Sequence, residues 1–309
     1  VGDFDGDGVV SVFVANDGVP NHFYVNEAGR GDPPRFVDRA TTLGVAYSGN
    51  GFSQGCMGIA IDDADGNGLM DMFVTNFFGE SNTFYTDQPG KLFQDETQRA
   101  GLRLPSMPMV GFGTEFLDVD LDGDPDLVIS NGQIDHAPGR KTEFQMRPQF
   151  FENRAGRFVE RRGAELGGYF DRKLVGRCLV RVDFNRDGRE DFAVSHLDAP
   201  VALLRNDTPD VGHFIAIQLR GVACDRDALG ATVTTVTSGG RRRIRQLTAG
   251  DGFECSNQQQ LIFGLGDATS VEKLVVRWPN GDEQIFSNVE VDRQFLVIQG
   301  NDELVRRPN

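Results

Sequence analysis

The sequence contains no apolar run near the roughly 18 consecutive residues that a membrane-spanning helix requires, so we expect no membrane insertion. Basic residues are also scarce relative to acidic ones. The chain has 31 Lys and Arg against 46 Asp and Glu, a formal net charge of −15. A nucleic-acid partner is therefore not expected, because phosphate backbones require a basic surface. For a chain of this charge, we expect cations as binding partners.

Cysteine and histidine are each limited to four residues, with no CxxC spacing and no His beside a Cys. A zinc site is therefore not expected. Cys224 and Cys255 fall in one predicted small domain and could either form a disulfide or remain reduced. Cys56 and Cys178 lie in apolar, strand-like surroundings and are predicted to be buried thiols.

What is abundant is glycine and phenylalanine, with 38 Gly and 24 Phe beside 13 Pro. This composition is typical of many short strands joined by tight turns, and it predicts few long helices. We therefore expect an all-β protein. A chain of 309 residues is long enough for two domains.

Four segments of the first two thirds align without gaps: DFDGDGVVSVFV, DADGNGLMDMFV, DVDLDGDPDLVI and DFNRDGREDFAV, starting at residues 3, 63, 118 and 183. A period this long, with short alternating strands, predicts β-propeller blades. Residues 1–220 are predicted to form about three and a half blades, and HFIAIQL at 213–219 is predicted to be the last strand of the fourth. The chain starts inside the first motif, so we expect a piece of a longer protein whose signal sequence is not included.

A different pattern follows, and residues 221–300 are predicted to be a small β-sandwich-like domain, with residues 301–309 as a tail. Its segments alternate apolar and polar residues, as half-buried strands do. Gly239-Gly240 and Asn280-Gly281 are typical hairpin turns. The predicted fold class is thus all-β, a partial propeller followed by a small sandwich.

Each repeat begins with a nine-residue acidic loop that has oxygen side chains at positions 1, 3, 5 and 9 and glycine at position 6. Such an oxygen-only donor set suits Ca²⁺, and we predict up to four ions. An EF-hand is excluded because position 12 is Val or Ile instead of Glu. The predicted ligands are Asp3, Asp5 and Asp7; Asp63, Asp65, Asn67 and Asp71; Asp118, Asp120, Asp122 and Asp126; and Asp183, Asn185, Asp187 and Asp191.

The alternative is that these loops are ordinary turns, which Asp, Asn and Gly favour without any metal. Four loops in register argue against it. In the third loop, five carboxylates at residues 118, 120, 122, 124 and 126 would repel one another without a cation. Position 9 of the first loop is Ser11, so that site is expected to be the weakest.

Two further groups of residues are candidates for function. Residues 241–245 form a basic strand, which we expect to be either a solvent-exposed hairpin face or a binding site for an acidic glycan. Ser195, His196 and Asp198 have the side chains of a catalytic triad. Their near adjacency on one strand would point them in different directions, so no catalysis is expected there.

The loops and blades resemble the FG-GAP or VCBS repeats of integrin α-chain-like propellers, through their DxDGxG-type cores. The segment at 227–281 resembles the ASPIC/UnbV domain, and the pairing resembles the cartilage acidic protein-like family, as an N-terminally truncated member of bacterial type. The resemblance implies a seven-bladed propeller, calcium in the loops, secretion or surface exposure, and an adhesive or matrix-related role.

The predicted function is a calcium-binding extracellular module that binds an unidentified protein or glycan and carries out no catalysis. Its expected location is secreted, extracellular or periplasmic, because extracellular calcium would keep weak sites filled. Two alternatives remain open. One is an enzyme that acts on polysaccharide from the propeller face, and the other is a structural assembly element whose edge strands pair with another subunit.

Overall fold

The computed structural model describes residues 1–4, 6–90, 92–136 and 142–307. Its regular structure is almost entirely strand, which confirms the all-β class. The helices in these ranges are single turns, α1 (Ala40–Leu43), α2 (Arg103–Ser106) and a 3-10 turn (Ala164–Leu166). None of them is long and apolar enough to cross a membrane.

Each of the four repeats forms its own antiparallel sheet, with neighbouring strands in chain order. The first two sheets contain β1 (Val12–Val14), β2 (His22–Asn26) and β3 (Phe36–Asp38), then β4 (Cys56–Asp62), β5 (Asp71–Asn76), β6 (Thr83–Gln88) and β7 (Leu92–Asp95). The next two contain β8 (Gly111–Leu117), β9 (Asp126–Asn131), β10 (Gln149–Arg154) and β11 (Arg157–Arg161), then β12 (Gly176–Val182), β13 (Asp191–His196) and β14 (Ala202–Leu204). Each sheet is thus an antiparallel meander.

Neighbouring repeat sheets pack face to face. Strands β5, β8 and β9 are buried along their whole length because a sheet covers each of their faces. The second and third repeats share a core of aromatic rings that includes Phe73, Phe116 and Phe158. The first strands of successive repeats approach backbone to backbone. A Cβ at Gly58 would lie 2.1 Å from the Phe112 carbonyl oxygen, so glycine is required there.

The C-terminal part contains two four-stranded sheets around one core, as a sandwich does. One consists, in spatial order, of β18 (Leu261–Gly266), β15 (His213–Arg220), β21 (Arg293–Ile298) and β22 (Val305–Arg306). The other consists of β17 (Arg242–Gln246), β16 (Thr232–Thr237), β19 (Ser270–Arg277) and β20 (Glu283–Glu290). Both sheets contribute to a core around the fully buried Trp278. The predicted hairpins at 239–240 and 280–281 join β16 to β17 and β19 to β20.

Two predicted assignments are wrong. The segment 213–219 was predicted to complete the fourth blade, but β15 pairs with β18 and β21, so the fourth repeat sheet has three strands. Ile215 and Ile217 are buried in the C-terminal core, and a period of two cannot indicate which sheet will bury them. The predicted tail is also partly strand, because β22 pairs with β21.

Candidate metal sites in the acidic loops

The four acidic loops share one backbone conformation. Glycine at position 6 has a left-handed φ between 84° and 87°, and its N–H donates to the position 1 carboxylate at 2.8 to 3.1 Å. Position 4 is also left-handed in each loop, with φ between 59° and 74°, whether the residue is glycine or not. The residues at position 6 are Gly8, Gly68, Gly123 and Gly188, and those at position 4 are Gly6, Gly66, Leu121 and Arg186. Positions that align in the four repeats therefore have the same backbone conformation in the structure.

Two of the loops gather three carboxylates within reach of a single cation. In the second loop, oxygens of Asp63, Asp65 and Asp71 lie within 4.8 Å of one another. In the third loop, the same holds for Asp118, Asp120 and Asp122. Each cluster could hold a metal ion. An oxygen-only donor set fits a hard cation better than a soft transition metal.

Asp118 provides the strongest test of that fit. Its Oδ2 accepts N–H groups from Gly123 at 3.0 Å and from Gly264 of β18 at 3.1 Å. Its Oδ1 is buried and has no hydrogen-bond partner among the described residues. Burial raises the pKa of Asp118 well above its usual range, although nearby Arg245 opposes this shift, and the charge of Asp122 adds to it. A buried carboxylate oxygen without a donor, beside two other carboxylates, is what a cation site requires.

Position 9 joins its loop to the third strand of the same sheet. Asp71 accepts two N–H groups from its own loop, and Asp126 and Asp191 accept one each. Each also accepts one N–H from the third strand or the residues just after it, at 2.7 to 2.9 Å. Ser11 accepts the equivalent bond from Asn26 at 3.2 Å. Burial raises the pKa of Asp126 to about 9 and that of Asp191 to about 6. The position 9 side chain is thus a brace within the sheet, and only in the second loop does it also belong to the three-carboxylate cluster found among the described residues.

Within the described residues, the first and fourth loops offer fewer converging carboxylates to a cation. Asp5 lies outside the described residues. Asp3 is buried, and the exposed Asp7 accepts the Val9 N–H. In the fourth loop, Asn185 donates to Asp187 at 2.8 Å, and Asp183 accepts from Gly188. Within the described part of the chain, three acidic or histidine side chains do not converge in either loop. Ligand roles for these residues stay predictions.

Arg241, which immediately precedes β17, and Arg243 of β17 contact the third loop, and the sequence pattern did not predict this contact. Arg241 donates to the Asp122 carbonyl at 2.5 Å, and Arg243 donates to the Gly123 carbonyl. Both also pair with the Asp124 carboxylate. The basic strand is therefore not simply a solvated face. Asp124 is neutralised by arginine and Asp126 is held by amides, so three of the five expected carboxylates remain to repel one another. The only signal in the sequence was the opposite charge of two distant segments.

Behind the loops lies a buried ionic cluster of Asp62, Glu115, Arg181, Glu190 and Arg245. Arg245 lies 3.1 Å from Asp62 and 2.9 Å from Glu190, while Arg181 lies 3.1 Å from Glu115 and 3.2 Å from Glu190. Burial alone would raise the pKa of Glu190, but Arg245 and Arg181 together hold it below its usual range. The cluster joins the second, third and fourth repeats to β17.

The side chains of Ser195, His196 and Asp198 each form hydrogen bonds with other groups. His196 contacts the Tyr169 hydroxyl and the Pro200 carbonyl, both at 2.9 Å. The Ser195 hydroxyl accepts the Cys178 N–H, and Asp198 accepts the Val175 N–H. No nucleophile–base–acid relay connects these three side chains.

The shared loop conformation predicts opposite effects for two neighbouring substitutions. Arg186 is exposed with φ of 62°, so Arg186→Gly should stabilise the protein by about 1 kcal/mol. Gly188 has φ of 84°, and an added Cβ would lie 2.0 Å from the Phe214 ring. Gly188→Ala should destabilise it by about 2 kcal/mol or more. Urea unfolding of the two variants measures both changes, and equal signs would contradict the loop assignment.

Comparison with known proteins finds relatives for both parts of the chain. Residues 221–304 match the family described as ASPIC and UnbV. Cartilage acidic protein 1 of Homo sapiens is 25% identical over 305 residues, 93% of this chain and 41% of the relative. Cartilage acidic protein 1 of Mus musculus is 25% identical over 287 residues, 87% of this chain and 40% of the relative. The chain spans about two fifths of the length of these curated relatives. The predicted resemblance of the C-terminal segment to the ASPIC/UnbV domain is confirmed, because residues 221–304 match that family.

Proposed function

We propose that this chain is a calcium-stabilised, non-catalytic binding module that works outside the cell. The observation that carries the proposal is the Asp118 cluster, where a buried oxygen without a donor lies beside two other carboxylates. Calcium takes six to eight oxygen ligands in flexible loops, which suits carboxylates supplemented by backbone carbonyls and water. Magnesium would demand a tighter octahedron.

Calcium occupancy should differ among the loops. The second and third loops would be the stronger sites because each gathers three carboxylates. The fourth loop, with Asn185, and the first, with Ser11, would be weaker, for a total of up to four ions. When bound, the ion would neutralise the repulsion among the carboxylates. The backbone conformation itself is maintained by the glycine at position 6 and the brace at position 9.

The extracellular location is supported by two considerations. Extracellular calcium modules bind with dissociation constants of roughly 10⁻⁴ to 10⁻³ M, so external calcium fills them and cytosolic calcium does not. The relatives are named for cartilage and for acidity, and this chain has a net charge of −15. A matrix-related role is therefore part of the proposal.

The proposal is tested by calorimetric titration of calcium into protein stripped with EDTA. We expect at least two sites, with dissociation constants near 10⁻⁴ to 10⁻³ M. Magnesium at the same concentrations should bind more weakly. If calcium does not bind at concentrations up to about 10 mM, well above the extracellular range, the calcium proposal is wrong and the loops are ordinary turns.

The partner surface is proposed to be the opposite end of the repeat sheets, which we call the loop face. It comprises the connections between the second and third strands and those that enter each first strand. Large apolar side chains are exposed on connections from all four repeats, whereas an ordinary surface scatters them singly. They are Val19, Phe52, Phe78, Leu104, Ile134, Leu197 and Val201. An apolar face favours a protein partner over a glycan.

Self-association through this face, distinct from the pairing of edge strands, would instead bury it against a second copy. Sedimentation of the calcium-loaded chain distinguishes the two, because a heterologous binding module should remain a monomer. A dimer that the double variant Phe78→Ser and Leu104→Ser converts to monomer would instead favour self-assembly. Both side chains are exposed, with 40% and 79% of their surface accessible, so these substitutions should not disturb the core.

A further inference from the structure

Two cysteines from different parts of the chain meet between the fourth repeat and the C-terminal domain. Cys178 lies on β12, where the pairing with β13 shifts register between Gly176 and Leu179. Cys255 lies on the segment 247–260 that joins β17 to β18. Its Sγ is 3.3 Å from the carbonyl of Leu179, the residue that follows Cys178 on β12. They are separated by 76 residues of sequence.

The segment that carries Cys255 is fixed against the repeats on both sides of the thiol. Before it, Gly252 exchanges two backbone hydrogen bonds with Ile59 of β4, at 2.5 and 3.0 Å. After it, Asn257 accepts the Arg181 N–H at 2.8 Å, and the Gln258 N–H donates to the Arg181 carbonyl at 3.1 Å. Cys255 is therefore held beside β12, the strand that carries Cys178.

We propose that Cys178 and Cys255 form a disulfide that covalently links the C-terminal domain to the fourth repeat under oxidising conditions. The pairing differs from the one left open by the sequence, because Cys224 has other neighbours. Its Sγ lies 3.4 Å from the Gln299 side chain and 3.5 Å from the Asp225 carbonyl. Cys56 is buried beside Asn21, at 3.4 Å, in a different core.

The reaction is thiol–disulfide exchange with a small-molecule disulfide such as oxidised glutathione. One cysteine thiolate attacks the oxidant, forming a mixed disulfide and releasing one glutathione thiolate. The second cysteine thiolate then attacks the protein sulfur of the mixed disulfide, forming the S–S bond and releasing the second glutathione. Two thiol protons leave, and the two electrons reduce the oxidant to two thiols. Both cysteines are half-buried, which leaves them access to a small reagent.

Burial, with the neighbouring Cys178, raises the pKa of the Cys255 thiol to about 12. Because the thiolate is the attacking species, closure should be slow at neutral pH and faster at pH 8.5. Once formed, the bond closes a long loop and constrains the unfolded chain. We expect the melting temperature of the oxidised form to exceed that of the reduced form by about 5 to 10 °C.

The test oxidises the full chain with glutathione disulfide at pH 8.5, blocks remaining thiols in denaturant, and maps tryptic peptides by mass spectrometry. The expected product joins peptide 178–181 to peptide 246–273, with Cys56 and Cys224 recovered as blocked thiols. Cys224→Ser should give the same linked peptide and keep the thermal shift. Cys178→Ser should lose both the linked peptide and the difference in melting temperature between oxidised and reduced protein.

Two results would overturn the proposal. One is recovery of peptide 178–181 with its cysteine blocked after prolonged oxidation. The other is a linked peptide that joins Cys255 to Cys224. The readout does not depend on calcium, and it can be repeated in EDTA and in 5 mM calcium. Failure of calcium binding and failure of disulfide formation are therefore separate outcomes.

Discussion

In calcium-free buffer, Asp118→Asn should raise the melting temperature, whereas in calcium the same variant should melt below the wild-type protein. Asparagine retains an oxygen that can accept the N–H groups of Gly123 and Gly264, but it carries no charge. Without a cation, burial disfavours the ionised form of Asp118 and holds its pKa well above the usual range. Asparagine cannot ionise and avoids this cost, so it should stabilise the stripped protein by about 1 kcal/mol.

In calcium the sign reverses, because the variant loses a ligand of the ion. A site that is filled at about 100 times its dissociation constant stabilises the folded chain by about 2.7 kcal/mol, and this contribution would be largely lost. For a protein of this size, each kcal/mol corresponds to about 2 to 4 °C in melting temperature. Thermal unfolding of the variant and of the wild-type protein, in EDTA and in 10 mM calcium, would show whether the order of their melting temperatures reverses.

Asp124→Asn is the matched control, because it makes the same charge change two residues beyond Asp122. The Asp124 carboxylate pairs with Arg241 and Arg243 and lies outside the three-carboxylate cluster. This variant should lower the melting temperature in both buffers by a similar amount. If Asp118→Asn behaved in the same way, the third loop would be a turn without a metal.

The loops were predictable from the sequence because their determinants are local. A glycine with left-handed φ at position 6 and oxygens at alternate positions fold the same way wherever they occur, and the four loops do so. The arginines that neutralise Asp124 were not predictable. Arg241 and Arg243 lie more than 100 residues from the third loop in sequence. Charge complementarity between distant segments does not specify which of them will meet.

The strand pattern had the same limit. The period of two correctly predicted β16 to β21 as strands, yet it assigned β15 to the wrong sheet. Ile215 and Ile217 bury equally well against a repeat or against the C-terminal core. The choice is made by the parallel pairing with β21, which begins 73 residues after β15 ends. Local alternation contains no information about such a contact.

Replacing Arg245 with methionine should be the most destabilising single change in the ionic cluster. Arg245 is buried, and it lies 3.1 Å from Asp62 and 2.9 Å from Glu190. Methionine fills similar space but leaves both carboxylates without that partner. Glu190 keeps Arg181 at 3.2 Å, whereas Asp62 has no other ion pair within the described residues. Breaking one side of a buried ion pair costs about 3 to 5 kcal/mol.

Arg242→Met is the control, because Arg242 is the exposed neighbour three residues earlier on the same strand, and its loss should change stability by at most about 0.5 kcal/mol. Adding Asp62→Asn to Arg245→Met should recover part of the loss, since it removes the stranded charge. We expect a coupling of about 1 to 3 kcal/mol in this double-mutant cycle. A loss below 1 kcal/mol for Arg245→Met, without coupling, would show that the cluster does not stabilise the fold.

The shape of the transition reveals what the cluster does. Arg245 belongs to the C-terminal domain, whereas Asp62 and Glu190 belong to the second and fourth repeats. If the cluster couples these parts, the wild-type chain should unfold in one calorimetric transition, and Arg245→Met should separate it into two. Arg245→Lys retains the charge but not the fork that reaches both carboxylates, so it should give an intermediate result. Two transitions in the wild-type chain would instead mean that the repeats and the C-terminal domain are stable independently of this contact.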